Sequence, residues 1–194
     1  LDCSGRNIQS VRGIENLIAL TNLQLQSNTI FRLDGLENLA NLVSVDVSVN
    51  RISSLLPVLA LPKIETLLLA KNTVRVLPDF SGMPMLQHLD LSRNNLEDMR
   101  NLTTAANLAV LVMSNAKLTN LSVITEVSSL QILTLDRNSL EDISGLAELN
   151  AISALDLSQN NIHRLEGGLS AIQSGSILLT GNPLYCEDLE AYEA

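Results

Sequence analysis

Aromatic residues are almost missing from this chain: its 194 residues include two Phe, two Tyr and no Trp. With 46% of the sequence hydrophobic, the core has to be filled by Leu, Ile, Val and Ala, packed as aliphatic layers rather than around rings. Positive charge is scarce too. Twelve Lys and Arg face 21 Asp and Glu, a net charge of −9, and no run of the sequence supplies the basic stripe that nucleic acid or an anionic membrane requires. Long apolar runs are lacking, and none approaches the ~18 to 20 residues that a bilayer span needs. The chain begins at Leu1 inside a repeat, with neither an initiator Met nor a basic segment leading into an apolar one, so any export signal is expected ahead of it. Cysteine is limited to Cys3 and Cys186.

What fills the chain instead is a single period. Asn28, Asn50, Asn72, Asn94, Asn138, Asn160 and Asn182 fall on a fixed step of 22 residues, with Arg6 and Ala116 in the two remaining slots and no insertion between them. Around each slot runs L-x-x-L-x-L-x-x-N-x-L/I, as in Leu20, Leu23, Leu25, Asn28 and Ile30, in Leu86, Leu89, Leu91, Asn94 and Leu96, and in Ile152, Leu155, Leu157, Asn160 and Ile162. Nine copies of this leucine-rich pattern predict a solenoid whose turns stack on one another. Each L-x-L segment alternates as a short strand, with Leu23 and Leu25 inward and Gln24 and Gln26 outward, and successive strands should pair in parallel. The Asn lies where the chain leaves the strand. Its amide can donate to and accept from backbone groups that the turn would otherwise bury unpaired, so the seven asparagines are expected to form a structural ladder.

Beyond the Asn, apolar residues recur at every third position: Leu33, Leu36, Leu39; Leu121, Ile124, Val127; Ile143, Leu146, Leu149. That spacing suits 3₁₀ or extended turns, and a 22-residue repeat leaves no room for a long helix. Gly13, Gly35, Gly145 and Gly167 share one column with Pro57, and all five prolines avoid the strand positions, as their missing N–H demands. The predicted fold is an α/β solenoid, a leucine-rich-repeat horseshoe with a parallel β-sheet on the concave face and 3₁₀ or extended turns on the convex face. Residues 1–184 form the array, nine repeats with the last one partial. The eighth repeat loosens, placing Gly168, Ala171 and Ser174 in apolar slots. Residues 185–194, with Cys186, Leu189 and Tyr192 three apart and acids in the first turn, are expected to cap the last repeat. The first repeat shows no cap, and one is expected ahead of Leu1. At ~4.8 Å per turn, eight intervals separate Cys3 from Cys186 by roughly 38 Å, well beyond the ~7 Å that a disulfide tolerates.

The 22-residue length, the Leu-x-Leu-x-x-Asn-x-Ile/Leu core and the following x-x-Leu-x-x-Leu resemble the internalin-like class of leucine-rich repeats over essentially the whole chain. Leu1-Asp2-Cys3-Ser4-Gly5 with Gly13-Ile14-Glu15-Asn16-Leu17, and Gly181-Asn182-Pro183-Leu184-Tyr185-Cys186, are similar to the first and last repeats of exported bacterial members. The resemblance implies an adhesion or recognition protein, secreted or at the cell surface of a bacterium. It names no ligand, because fold does not fix function. Two features depart from the class. Its frequent acid two residues after the Ile or Leu occurs only at Asp98 and Asp142, and the concave aromatics of its receptor-binding members have no counterpart, since Phe31, Phe80, Tyr185 and Tyr192 all fall off that face.

The register also assigns the concave surface. Its central column reads Asp2, Gln24, Asp46, Leu68, Asp90, Val112, Thr134, Asp156, Leu178, and the flanking columns are mostly small and polar. Against them Val110, Val112 and Ile132 form an aliphatic cluster in adjacent turns, with Leu68 two turns from Val112 and a rim of His88, Asp90, Arg93, Asp136 and Arg137. These nine residues are the expected partner-binding site, although β-branched residues also suit strands for their own sake. Ala116 interrupts the ladder beside this cluster, and the loss should leave backbone groups to water or to Asn115.

No catalytic constellation is expected. His88, Asp90 and Ser92 share one strand face, but residues two apart are ~6.6 Å apart along it and the face is open to water. No metal site is expected from His88 and His163, which lie on different faces, nor a cofactor, since no Gly-rich loop precedes a helix. Asn101-Leu102-Thr103 and Asn120-Leu121-Ser122 match a glycosylation pattern too short to carry weight. The expected function is therefore non-enzymatic binding of a protein, or else a glycan, on the concave sheet, with no nucleic acid, no membrane insertion and the oligomeric state open. The alternative is a cytoplasmic leucine-rich scaffold that regulates a partner protein.

Overall fold

The computed structural model describes residues 1–165, 167–169, 172 and 175–185. Of the expected capping segment only Tyr185 falls among them. Cys186, Leu189 and Tyr192, like Ala171 and Ser174 in the eighth repeat, lie outside the described residues.

Among the described residues eight three-residue strands follow one another at 22-residue intervals: β1 Asn22–Gln24, β2 Ser44–Asp46, β3 Thr66–Leu68, β4 His88–Asp90, β5 Val110–Val112, β6 Ile132–Thr134, β7 Ala154–Asp156 and β8 Ser176–Leu178. They form one parallel sheet in sequence order, and each residue pairs with the one 22 places on, as Leu23 with Val45 and Val45 with Leu67. A bridge from Asp2 to Gln24 carries the register back to the first turn. In each strand a central aliphatic residue points inward between two outward neighbours. The inward residues Leu23, Val45, Leu67, Leu89, Leu111, Leu133 and Leu155 are all buried, and together with the three-spaced rows they make a single aliphatic core. Among the described residues Phe80 is its one aromatic member, filling the slot that Leu36, Val58, Leu102, Ile124 and Leu146 fill in other turns.

The convex side holds 3₁₀ segments at Leu56–Ala60, Arg100–Thr104, Ile124–Glu126 and Ser144–Glu148. Pro57 sits at the start of the first, where a missing N–H costs nothing. Short polar side chains set up these turns by accepting the amide two residues on. Asp98 receives the Arg100 amide at 3.0 Å and Asp142 the Ser144 amide at 2.8 Å, while Ser10 and Asn120 act likewise in their repeats. The acid column of the sequence is thus a turn-forming column. Hydrogen bonds from the Arg100 side chain and then its amide hold the Asp98 carboxyl down at about 2, and the Ser144 amide and hydroxyl lower that of Asp142. In the loosened eighth repeat the backbone closes in on Gly168, where a Cβ would stand 2.5 Å from the Ile143 carbonyl oxygen.

Each ladder Asn is buried or half-buried and joins two turns. Asn72 accepts the Ile52 amide at 2.9 Å and donates to the carbonyls of Val47 and Leu69, both at 3.0 Å. Asn28, Asn50, Asn94, Asn138, Asn160 and Asn182 repeat the pattern. The residue before each of them is left-handed, from Ser27 (φ 59°) to Gln159 (φ 54°), and this includes the β-branched Val49 (φ 57°). At Ala116 the ladder breaks. Its own amide goes to Asn138, but Leu96 in the preceding turn donates and accepts no hydrogen bond among the described residues, whereas the equivalent Ile30 amide reaches Asn50 and its carbonyl takes the Arg51 amide. Leu96 is correspondingly half-buried where Ile30, Ile52 and Val74 are fully buried. Lys117 turns left-handed (φ 61°), as does Asn7 after the other slot without Asn. The groups expected to lose partners are therefore those of the turn before, and the next Asn rather than Asn115 takes up the Ala116 amide.

Candidate binding surface

The concave sheet positions its outward side chains by strand register alone. Leu68, Asp90 and Val112 stand side by side in consecutive strands, as do His88, Val110 and Ile132. Asp90 therefore separates Leu68 from Val112, and the aliphatic cluster proper is Val110, Val112 and Ile132. Leu68, His88, Asp90, Val110, Val112 and Asp136 are half-buried, and Arg93 and Arg137 are exposed. Ile132 is 40% exposed. Arg137 lies 3.6 Å from Asp136 and donates to Gln159 at 3.0 Å.

The sheet acids are tied to their own backbone. Asp46, Asp90 and Asp156 each accept the amide two residues on, from Ser48, Ser92 and Ser158, at 2.9 Å. This Asp-x-Ser repetition turns the chain out of the strand, so these carboxylates shape the edge before they can serve a ligand. No hydrogen bond joins His88 to Asp90 or Ser92, and the buried Ser92 hydroxyl accepts the Ser114 amide at 3.2 Å. Of the three residues that superficially suggested a triad, Asp90 and Ser92 are engaged with backbone amides. Among the described residues no group of three or more His, Cys, Asp or Glu is placed to hold a metal ion.

A shallow depression crosses the sheet beyond the cluster, lined by Ile132, Thr134, Ala154, Asp156, Ser176 and Leu178. Leu178, half exposed at the end of the central column, is the residue that grouping by adjacency passed over. Its signal was the same as that of Leu68, an aliphatic outward position in an otherwise polar column. Off the sheet, Phe31 and Leu56 are exposed on the turn flank beside Pro57. Further along that flank His163 stacks on Tyr185 at 5.5 Å over a groove of about 420 Å³ that also includes Glu141, Asp142 and Ser144. The Asn101 amide donates to the Leu77 carbonyl at 2.9 Å, so that pattern residue serves the turn.

The leucine rich repeat family profile matches residues 40–96. Comparison with curated protein sequences returns no match. Among solved structures, internalin C2 of Listeria monocytogenes is 26% identical, with a TM-score of 0.80 over 93% of this chain and 80% of that one. The functional domain of InlJ from the same species, which includes a cysteine ladder, is 28% identical with a TM-score of 0.78 over 94% of this chain and 39% of that one. A leucine-rich-repeat protein of Leptospira interrogans shares the fold at 22% identity and a TM-score of 0.77, over 100% of this chain and 57% of that one. This chain thus spans less than two thirds of the latter two. Among the described residues no helix is long and apolar enough to cross a membrane. With its uninterrupted 22-residue register and its asparagine ladder, the chain is a leucine-rich-repeat solenoid that is similar to the bacterial internalins.

Proposed function

We propose that the chain binds a protein partner on its concave sheet, as a non-enzymatic recognition or adhesion module exported by a bacterium. The observation that carries this reading is the exposure of Ile132 beside Val110 and Val112 on a sheet whose outward side chains are mostly small and polar. Aliphatic side chains left together in water mark a contact surface. Val110, Val112 and Ile132 would form the dry centre, extended by Leu178 on one side and by Leu68 beyond Asp90 on the other. His88, Asp90, Arg93, Asp136 and Arg137 would supply a polar rim. With no aromatic anchor on the face, affinity rests on a few aliphatics and Arg, which favours a modest or polar complex. A non-enzymatic role accords with Asp90 and Ser92 being committed to backbone amides.

The test is a partner fixed by cross-linking at the cell surface and then titrated against wild type, Val112→Glu, Ile132→Glu and Leu178→Glu. A charge buried in a dry contact should weaken binding at least ten-fold. Unchanged affinity in all three variants would remove the concave site. The gene sequence ahead of Leu1 decides the location: an export signal there supports this reading, and a cytoplasmic start supports the scaffold instead.

A further inference from the structure

The sequence has no basic run, yet folding assembles a basic row. Arg51, Lys71, Arg93, Lys117 and Arg137 stand immediately before or after the ladder position in five consecutive turns, one cation per turn, and all five are exposed. The ladder position and its two neighbours contain no Asp or Glu in any of the nine repeats, although the chain carries 21 acids. The expectation that nothing supplies a basic stripe therefore holds along the chain and fails in space, because residues 20, 22 or 24 apart fall on one side or the other of the buried ladder position in successive turns. Among the described residues Arg51, Lys71, Arg93 and Lys117 make no ion pair. Lys117 reaches only the Asn95 side chain at 3.5 Å, and Arg137 is shared between Asp136 and Gln159.

Turns stack at ~4.8 Å, so the row runs about 19 Å along the sheet edge. Adjacent charges lie well within a Debye length of ~10 Å and reinforce one another's field. Between the cations the exposed side chains are Thr73, Asn95, Asn115 and Ser139, with Gln159 beyond. These are hydrogen-bonding groups with Val49 as the only aliphatic, too little for the dry centre that a protein contact needs. An extended acidic peptide brings same-side carboxylates only every ~6.8 Å and loses step with the row within two or three turns. A pyranose ring is about as long as one turn is thick. The sheet acids Asp46, Asp90 and Asp156 stand four residues before the ladder position, which disfavours an anion on the concave floor and leaves the edge to it.

We propose that this edge binds a linear anionic glycan, with carboxylate or sulfate groups set along the row of cations and ring hydroxyls met by the interleaved amide and hydroxyl side chains. The probe is a sulfated heparin hexasaccharide, titrated against the folded chain at about 50 and 200 mM salt, where binding through several charges should fall steeply. The variant Arg51→Gln, Lys71→Gln, Lys117→Gln should bind about ten-fold more weakly or worse, at roughly 2- to 5-fold per exposed charge contact. Arg12→Gln, Arg32→Gln, Lys63→Gln makes the same change in net charge away from the row and should keep wild-type affinity. Circular dichroism checks that both variants fold. No binding at low salt, or equal loss in both variants, would overturn the proposal. So would competition by polyglutamate at the same charge concentration, which would point to an acidic peptide. The concave variants are scored in the same titration, and loss in them alone would place the glycan on the sheet instead.

Discussion

The side-chain oxygen of Asn138 accepts two amides, from Ala116 at 2.9 Å and from Leu118 at 3.1 Å, where Asn72 accepts one. The doubled acceptor repairs the gap that Ala116 opens toward the following turn and leaves the preceding turn unrepaired. Restoring the amide with Ala116→Asn should give Leu96 an acceptor and stabilise the fold by about 1 kcal/mol, as one or two recovered hydrogen bonds would. Hydrogen exchange at Leu96 should slow relative to Ile30 and Ile52. Exchange at Leu96 as fast as before would show that the ladder does not govern local opening there.

Removing a working rung should do the reverse. Asn72→Ala strands the buried Ile52 amide and the carbonyls of Val47 and Leu69, at a cost of about 3 kcal/mol because unpaired buried groups forfeit their hydration. Urea denaturation measures it. A loss below about 1 kcal/mol would mean that water replaces the side chain freely.

Val49 holds a left-handed backbone (φ 57°) at a position that is largely exposed. For a β-branched residue this conformation costs on the order of 1 to 3 kcal/mol, and Asn adopts it readily. Val49→Asn should therefore raise the urea midpoint, with a gain of about 1 kcal/mol. An unchanged or lower midpoint would indicate that the valine side chain contributes packing that outweighs its strain.

Acid should weaken the turns of the convex side. The Asp98 carboxyl titrates at about 2 in the folded chain because Arg100 bonds to its charged form, and Asp142 is lowered by Ser144. A depressed folded pKa contributes stability above the unfolded value near 3.8 that is lost as pH falls from there toward 2. Carbon-detected NMR titration should show Asp98 returning toward an ordinary aspartate value in Arg100→Gln. The same low midpoint in that variant would rule out Arg100 as the main cause.

Periodicity made most of this architecture readable before any coordinates. Leu23, Val45 and Leu67 could be aligned because no insertion disturbs the step, and from that alignment the outward columns and the neighbours of Val112 follow directly. What stayed hidden depends on geometry that columns do not encode. The left-handed turn at Val49 is invisible in a residue type that avoids it. The close approach at Gly168 reads in sequence as a loosened slot, although the backbone has moved in to fill the space. The basic row escapes a column scan because Arg51 and Lys117 follow the ladder position while Lys71, Arg93 and Arg137 precede it. Leu178 was legible as an outward leucine, but its share in a depression with Ile132 requires the shape of the sheet.

Each strand pairs only with the strands 22 residues before and after it. Recombination that removes or duplicates one such block, cut at any point, would leave every surviving side chain facing as before. The reach of the molecule can then evolve in steps of ~4.8 Å, while the chemistry it displays is rewritten one coil at a time.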